Sequence, residues 1–203
     1  MSEEIINSSN QWDERYLQPG YVWTSEPNIF LVEFTQNLSP GTALDLGSGE
    51  GRNAIWLASM GWEVTASDFS KIGIEKTIQR ANLEGVQLKT VVQDAANFKT
   101  EEPFDLVIMM YLHTEPSTRS KIFKSAFEAL KPGGYILIVG HDVDNLEHGY
   151  GGPQKLEFLW SPQILSELLP GIDFEFNGKR NRPVTTDSGI KNAIDCVGWG
   201  KKL

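Results

Sequence analysis

The segment LDLGSGEGRN, residues 44–53, constrains the fold of this chain more than any other stretch. An apolar, strand-like run that carries Asp45 breaks into a turn with glycines at positions 47, 49 and 51, and a helical pattern then begins. Glycine permits backbone angles that other residues avoid, so a ligand can approach the backbone of such a turn closely. A strand, a glycine-rich turn and a helix in this order are typical of α/β sheets that bind a ligand beyond their strand ends. The segment therefore predicts an α/β fold with a ligand at this turn.

Predicted strands and helices alternate along the chain. Apolar runs predict five strands, at 42–47, 62–68, 86–94, 104–112 and 135–140. The run at 104–112, FDLVIMMYL, is almost continuously apolar, as expected of a strand that is buried on both faces. Ser70 and Ser161 are suitable helix caps, Pro116 fits a first helical turn, and KPGG is predicted to be the turn into the fifth strand.

The end of the chain breaks this alternation. IDFEFNGKR and NAIDCVGWG both alternate apolar and polar residues, and no predicted helix separates them. Two consecutive strands without a helix between them form a hairpin, so one of them runs antiparallel to the rest of the sheet. We therefore predict a single domain over residues 1–203, with helices covering a mostly parallel sheet.

The charges of the glycine turn distinguish between two kinds of ligand. A dinucleotide-binding turn of the form G-x-G-x-x-G would have its third glycine at position 52, where this chain has Arg52. Asp45 and Glu50 would repel the pyrophosphate of a dinucleotide, whereas they suit a ligand that carries an ammonium and a sulfonium. S-adenosylmethionine has both cations, and the turn therefore favours this methyl donor.

Further acidic residues follow the second and third predicted strands. Asp68 lies nineteen residues after Gly49, where its carboxylate can accept hydrogen bonds from both ribose hydroxyls. Asp94 can accept a hydrogen bond from the adenine amino group, and Phe69 and Ala95 offer apolar surface to the ring. Because the carboxyl ends of parallel strands lie along one edge of a sheet, these residues are predicted to form one site.

The motifs LDLGSGEG, ASDFS, VVQDA, FDLVIMMYL and LKPGGYILI, in this order, resemble those of class I S-adenosylmethionine-dependent methyltransferases. WDERY, VW and EPN further resemble the small-molecule branch that contains the tellurite-resistance and thiopurine methyltransferases. The resemblance implies a Rossmann-like three-layer sandwich, with a seven-stranded, mostly parallel sheet whose last strand is antiparallel. The donor-binding residues predicted from the charges and the resemblance are Tyr16, Trp23, Asp45, Gly47, Ser48, Gly49, Arg52, Asn53, Asp68, Phe69, Ser70, Asp94, Ala95 and Tyr111.

Residues 1–40 are predicted to form an N-terminal helical segment. Trp12 and Tyr16 are spaced so that they share one face of a helix, and Trp23 follows. The segment either packs on the domain as an amphipathic flap or covers the donor as a lid. The second interpretation places Tyr16 and Trp23 against the donor, because aromatic faces attract a cation such as a sulfonium.

The acceptor is expected near the ends of the fourth and fifth strands. All three histidines, His113, His141 and His148, follow these strands. They could bond loop backbone, line the acceptor pocket and accept a proton, or bind a metal, although no tight ligand spacing supports a metal site. We take His113 and His141 as candidate catalytic residues. The basic residues of the predicted hairpin either select an anionic acceptor or form a solvated strand end; these are Lys179, Arg180 and Arg182.

The composition restricts the partners and the setting. A formal net charge of −9 without a basic run argues against nucleic-acid and anionic-membrane partners. The chain has one cysteine, no apolar run of transmembrane length and a polar start, MSEEIINSSN, so we expect a cytoplasmic protein. The hypotheses are a methyltransferase that acts on a small molecule and, as the alternative, a catalytically silent donor-binding sensor or partner domain. An oxidoreductase with a nucleotide cofactor is disfavoured by the acidic turn.

Overall fold

The computed structural model describes residues 8–203, in which seven strands and seven α-helices follow one another. The strands are β1 Thr42–Leu46, β2 Glu63–Asp68, β3 Lys89–Val92, β4 Phe104–Met110, β5 Leu130–His141, β6 Ile172–Thr186 and β7 Gly189–Lys202. The helices are α1 Ser9–Tyr16, α2 Ile29–Thr35, α3 Arg52–Ser59, α4 Lys71–Glu84, α5 Pro116–Glu128, α6 Asn145–His148 and α7 Pro162–Leu168.

All seven strands form one sheet in the order β3-β2-β1-β4-β5-β7-β6. Neighbouring strands from β3 to β5 are parallel, whereas β7 is antiparallel to both β5 and β6. This confirms the predicted seven-stranded sheet with an antiparallel last strand. From β1 the chain adds β2 and β3 on one side and then β4 and β5 on the other, so the strand order reverses between β1 and β4. In open α/β sheets such a reversal opens a crevice at the carboxyl ends of the strands.

Strand β4 shows why the sheet has helices on both faces. Leu106 and Ile108 belong to one apolar cluster, which includes residues of α2 and α3. Val107 and Met109 alternate with them and belong to a second cluster, which includes residues of α5 and α7. All four side chains are completely buried. The three-layer sandwich and the buried central strand are therefore confirmed.

Several predicted helix ends are confirmed by their capping contacts. The Ser70 hydroxyl accepts a hydrogen bond from the Gly73 amide at 3.0 Å, and α4 begins at the next residue. The Ser161 hydroxyl likewise accepts from the Ile164 amide at 3.3 Å, and Pro162 is the first residue of α7. Helix α5 begins at Pro116, as predicted.

Several boundaries differ from the prediction: β3 spans Lys89–Val92 rather than 86–94, and β4 ends at Met110 rather than at 112. KPGG lies within β5 rather than before it, because β5 already pairs with β4 at Leu130 and resumes pairing at Tyr135, so that the residues between them form a bulge. The final hairpin is longer than predicted, since its ladder continues from Ile172 to Thr186 and from Gly189 to Lys202. Backbone pairing in a hairpin can extend beyond the alternating pattern from which it is predicted.

The beginning of the chain limits two of the sequence-based expectations. The polar start MSEEIINSSN and the predicted segment 1–40 both include residues 1–7, which lie outside the described residues. Within residues 8–203, no helix combines the length and the apolar character needed to cross a membrane.

Candidate functional site

The glycine turn connects β1 to α3 and is tied to the end of β2. The amides of Gly47 and Ser48 donate hydrogen bonds to the Ser67 carbonyl at 2.8 and 3.0 Å. Gly51 has a φ of 79°, and a Cβ atom there would lie 2.4 Å from the Thr77 methyl carbon. Another side chain would be strained by the backbone angle and would also clash with α4. The turn therefore requires glycine for its conformation and for its packing on α4.

Asp68 is the last residue of β2, and its carboxylate binds the glycine turn. Its carboxylate accepts the Gly49 amide at 2.8 Å through Oδ2 and the Ser70 amide at 2.8 Å through Oδ1. Burial raises the pKa of Asp68 to about 6, although these amide donors oppose the shift. Each carboxylate oxygen can accept more than one hydrogen bond, so the contacts leave acceptor capacity for a ligand. The structure thus places the predicted ribose acid at the glycine turn.

Asp45 lies near the end of β1, immediately before the turn, and only 1% of its surface is exposed. Its Oδ2 atom is buried and makes no hydrogen bond with any described residue, and the same is true of the Ser48 hydroxyl. Burial and the nearby Asp68 carboxylate raise the pKa of Asp45 to about 7, although the Ala54 amide and Arg52 oppose the shift. A buried polar atom without a partner costs about 1–3 kcal/mol. A ligand with a cationic hydrogen-bond donor would supply the missing partner and the missing charge.

Helix α1 lies over this turn. The Asp13 carboxylate accepts hydrogen bonds from the Ser70 hydroxyl at 2.5 Å and from the Ile72 amide at 3.1 Å, which fasten α1 to the start of α4. Tyr16 is buried, and a Cβ atom on Gly49 would lie 2.7 Å from its hydroxyl oxygen. The predicted helix is confirmed, and Tyr16 covers the glycine turn.

Glu50 attaches the segment after α1 to the same turn. Its carboxylate accepts the Val22 and Trp23 amides at 2.9 and 3.3 Å and forms an ion pair with Lys76 at 3.0 Å. The Trp23 ring itself is 43% exposed and lies 6.5 Å from the Trp12 ring. Of the two acids in the turn segment, Glu50 therefore binds the N-terminal segment, while Asp45 keeps a buried oxygen without a partner.

The third-strand residues lie at the same edge of the sheet. Asp94 is exposed, and its carboxylate accepts the Ala96 amide at 2.9 Å, which caps the short 3-10 helix Ala95–Asn97. Ala95 is buried, and Phe69 is half-buried next to Asp68. Asp45 and Asp68 thus lie at the ends of β1 and β2, and Asp94 follows β3, at the carboxyl ends of three neighbouring strands.

A network of polar side chains begins at the end of β4. Tyr111, which has an unusual φ of 55°, donates a hydrogen bond to Asp195 at 2.8 Å and accepts one from the Asn28 amide group at 3.1 Å. Arg182 donates to the buried Asp195 carboxylate at 2.6 Å. The predicted Asn53 accepts the Asn28 backbone amide at 2.9 Å. This network connects α2, α3 and the β6–β7 hairpin to the predicted site.

Asn28 and Asp195 were not identified from the sequence as site residues. Neither follows one of the predicted parallel strands, and each reaches Tyr111 across more than eighty residues of chain. The sequence signal for Asp195 is a single acid within the apolar run AIDCVGW, where a buried carboxylate needs a partner. Arg52, which was predicted, donates to the Thr24 hydroxyl at 3.1 Å, and burial lowers its pKa.

His113 and His141 contact each other at the ends of β4 and β5. His113 Nε2 lies 3.1 Å from His141 Nδ1, and His113 Nδ1 lies 2.8 Å from the Phe158 carbonyl oxygen. Burial lowers the pKa of His113 to about 3 and that of His141 to about 4, with further contributions from His141 and Arg182 respectively. Both rings are therefore neutral near neutral pH. The predicted neighbourhood of these two histidines is confirmed.

The remaining candidates are His148 and the basic residues of the β6–β7 hairpin. The His148 side chain is exposed on α6. The hairpin cations are each paired: Lys179 with Asp142 and Asp144, Arg180 with both Glu33 oxygens, and Arg182 with Asp195. These basic residues therefore form ion pairs with neighbouring acids. Within residues 8–203, no group of three or more histidine, cysteine or acidic side chains is arranged to hold a metal ion.

Comparisons with known proteins agree with this geometry. Residues 43–134 match a family described as "Methyltransferase domain". The probable S-adenosyl-L-methionine-dependent methyltransferase TehB of Haemophilus influenzae is 32% identical over 165 residues, which cover 77% of this chain and 55% of TehB. Erythromycin 3''-O-methyltransferase of Saccharopolyspora erythraea is 32% identical over 178 residues, which cover 79% of this chain and 54% of that enzyme. The chain thus spans about half the length of these relatives.

A solved structure supports the fold over nearly the whole chain. The N-methyltransferase NodS from Bradyrhizobium japonicum, in complex with S-adenosyl-l-homocysteine, superposes with a TM-score of 0.74 at 15% identity. The match covers 97% of this chain and 99% of the NodS chain. At this identity the similarity concerns the fold.

Proposed function

We propose that this chain, whose residues 43–134 match a methyltransferase domain, is an S-adenosylmethionine-dependent methyltransferase that transfers a methyl group to a small-molecule acceptor. We further propose that residues 1–203 act as one methyltransferase domain in the cytoplasm, with residues 1–40 as the lid. The net charge of −9 supports a small acceptor rather than a nucleic acid. The names of TehB and of the erythromycin methyltransferase also support methyl transfer.

One observation carries the proposal. Asp45 Oδ2 is buried beside the glycine turn without a hydrogen-bond partner among residues 8–203, and its pKa is raised to about 7. An ammonium or sulfonium group would lower that pKa and satisfy or neutralise the carboxylate, whereas a pyrophosphate would be repelled. The residues present therefore fit the cationic methyl donor.

The donor-binding residues divide by what each can offer. We propose that Asp68, Phe69, Asp94 and Ala95 hold the nucleoside, through carboxylate acceptors and apolar surface. We propose that Asp45, Ser48 and Arg52 hold the amino-acid part, through one cation acceptor, one hydroxyl and one guanidinium. Gly47, Gly49, Asn53 and Ser70 shape the turn and its surroundings.

The catalytic contribution of the chain is positioning and exclusion of water. S-adenosylmethionine supplies a methyl group on a sulfonium, which is already activated for in-line displacement. Tyr16 covers the glycine turn, and Glu50 holds the segment around Trp23 against it, so that the lid limits water access. His113 follows β4 and His141 ends β5, and we propose that the acceptor is held beside these two histidines, whereas Tyr111, directly after β4, is proposed to contact the donor.

Product formation tests this proposal. The full chain is incubated with S-adenosylmethionine and a panel of small thiols, phenols, amines and oxyanions, with bulk transfer RNA as a separate reaction. We expect S-adenosylhomocysteine to form with at least one small molecule. Asp45→Asn should abolish most of this turnover, whereas Asp173→Asn, an exposed acid at the opposite edge of the sheet, should not affect it. Donor binding without turnover on any acceptor would instead indicate a silent binding domain, and turnover on transfer RNA alone would exclude the small-molecule assignment.

A further inference from the structure

The hydrogen bonds of His113 determine which of its nitrogens carries the proton. Its Nδ1 atom lies 2.8 Å from the Phe158 carbonyl oxygen, and a carbonyl oxygen can only accept a hydrogen bond. His113 Nδ1 is therefore the protonated nitrogen. In the neutral ring, Nε2 then has a lone pair and accepts hydrogen bonds. The backbone amide of His141 donates to this atom at 3.3 Å, which is consistent with that assignment.

The contact with His113 determines the tautomer of His141. Its Nδ1 atom lies 3.1 Å from His113 Nε2, which is already an acceptor. Two lone pairs facing each other at this distance would repel, so His141 Nδ1 must be the donor. In a neutral ring the proton on Nδ1 leaves a lone pair on Nε2. The Phe158 carbonyl thus fixes the tautomer of His141 through His113.

The Nε2 atom of His141 is available to a ligand. The ring is half-buried, and among residues 8–203 no group makes a hydrogen bond with Nε2. The Tyr111 ring lies 5.0 Å away between centroids, and Gly152 packs on the ring, where a Cβ atom would lie 2.6 Å from His141 Cγ. Arg182 is the charged group that acts on His141, and its partner Asp195 is paired with His141 in the β5–β7 ladder.

We propose that His141 Nε2 is the base that accepts the proton of a neutral hydroxyl or thiol acceptor, and that His113 is the residue that positions this lone pair. The inference rests on the proposed methyl transfer, and it narrows the acceptor to a nucleophile that must lose a proton. A proton-free anion would need no such base.

Methyl transfer and proton transfer occur together at the acceptor. A lone pair of the acceptor oxygen or sulfur forms a bond to the methyl carbon, while the bond between that carbon and the sulfonium sulfur breaks and its electrons remain on sulfur. The acceptor proton passes to His141 Nε2, and the resulting imidazolium donates from Nδ1 to His113 Nε2. Solvent later removes the proton. No oxidant, reductant or further reactant is required.

The surroundings of His113 and His141 keep both imidazole rings neutral. Burial holds the pKa of His113 at about 3 and that of His141 at about 4, so the lone pair is present throughout the neutral range. The charged or titratable groups that act on His113 are His141, Asp195 and Arg119, of which Asp195 opposes the lowering of its pKa. A base that is neutral at rest does not repel a cationic methyl donor.

Nuclear magnetic resonance tests the positioning role without turnover. With nitrogen-15 in the histidines, we expect His141 near neutral pH to show a protonated Nδ1 and an unprotonated Nε2, with the exposed His148 as an internal reference. His113→Asn keeps a donor near the Phe158 carbonyl and removes the acceptor for His141, so the tautomer should become mixed. His113→Gln places an amide oxygen near the position of Nε2 and should retain the Nδ1-protonated tautomer. A proton on Nε2 in the unaltered chain, or an unchanged tautomer in His113→Asn, would overturn the inference.

Turnover tests the catalytic role with 2-mercaptoethanol and phenol, which are protonated at neutral pH, and with the proton-free anion thiocyanate as acceptors. His141→Gln should lower kcat for the thiol or the phenol by about 10²–10⁴-fold, with donor affinity unchanged. His113→Asn should lower kcat without raising the KM of the donor, and His113→Gln should restore part of it. Full activity of His141→Gln, or methylation of thiocyanate alone, would contradict the inference and leave the proposed function intact. Failure to bind S-adenosylmethionine would contradict the proposed function itself.

Discussion

The two ends of the proposed site, the donor end at β1–β2 and the acceptor end at β4–β5, differ in how their buried charges are balanced. At the donor end, the carboxylates of Asp45 and Asp68 are buried near each other, and burial raises their pKa values to about 7 and about 6. At the acceptor end, Asp195 is equally buried but is matched by Arg182 at 2.6 Å. The donor end therefore has an excess of negative charge that a cation could balance, whereas the acceptor end is already compensated.

This difference has a consequence for stability and binding. A buried carboxylate whose pKa is raised destabilises the fold when it ionises, so Asp45 and Asp68 are consistent with a cationic ligand. Removing one partner of a buried ion pair destabilises the fold, because the other charge stays buried without a partner. Removing an acid should therefore have opposite effects on stability at the two ends.

Asp195→Ala should be the most destabilising change. It removes the partner of Arg182 and the acceptor of the Tyr111 hydroxyl, and breaking a buried ion pair costs about 3–5 kcal/mol. Urea unfolding measures the change in the free energy of unfolding. The exposed Asp173→Asn is the matched control and should change it little. An unfolding free energy equal to that of the unaltered chain would show that the acceptor end is not held by this pair.

Asp45→Asn should have the opposite sign. The folded pKa of about 7 exceeds the ordinary value of 3.8, so the carboxyl contributes stability below about pH 4 and loses that contribution as the pH rises through about 7. The neutral amide avoids this loss. Three pKa units at about 1.4 kcal/mol each give a gain of up to about 4 kcal/mol at about pH 8.

Thermal unfolding at several pH values measures this gain. It should decrease steadily as the pH falls from about 7 to about 4, where the carboxyl is protonated in both states. A variant that is less stable than the unaltered chain at about pH 8 would show that Asp45 is compensated after all.

Asp68→Ala should weaken donor binding by about 1.5–3 kcal/mol, since this is the net contribution of a hydrogen bond to a charged group such as the Asp68 carboxylate. Titration calorimetry with S-adenosylmethionine measures the affinity, and circular dichroism checks that the variant is folded, because Asp68 also holds the Gly49 amide. Unchanged affinity in a folded variant would mean that the ribose is not bound by Asp68.

Asp94→Ala should have the smallest effect. Its carboxylate is exposed and is proposed to contact a neutral amino group, so the loss of donor affinity should be about 0.5–1.5 kcal/mol. The same calorimetric titration measures it beside Asp68→Ala. A larger loss than that of Asp68→Ala would reverse the proposed ranking of the two acids.

The positions of the acids at the proposed donor end could be predicted from the sequence because their determinants are local. Asp45 and the glycine turn lie within ten residues, and Asp68 and Asp94 each follow an apolar run that marks a strand. The carboxyl ends of parallel strands lie along one edge of a sheet, so these short patterns are sufficient to bring the acids together. The same reasoning correctly placed His113 beside His141.

The acceptor end could be predicted only in part because its contacts cross the chain. Asn28 and Asp195 meet at the Tyr111 hydroxyl from α2 and from β7, and no spacing rule connects these positions. Glu50 was assigned by charge alone, yet its carboxylate binds the Val22 amide of the N-terminal segment. Such pairings depend on how the N-terminal segment and the final hairpin fold over the sheet, which periodicity does not encode.

The central claim is that the acidic glycine turn binds a cationic methyl donor, and titration calorimetry of the full chain tests it most directly. The chain is titrated with S-adenosylmethionine and, separately, with NAD, at about pH 8 and at about pH 6. We predict saturable binding of S-adenosylmethionine that is tighter at the higher pH, because Asp45 ionises with a pKa of about 7, and no binding of NAD. Saturable binding of NAD without a response to S-adenosylmethionine would contradict the claim.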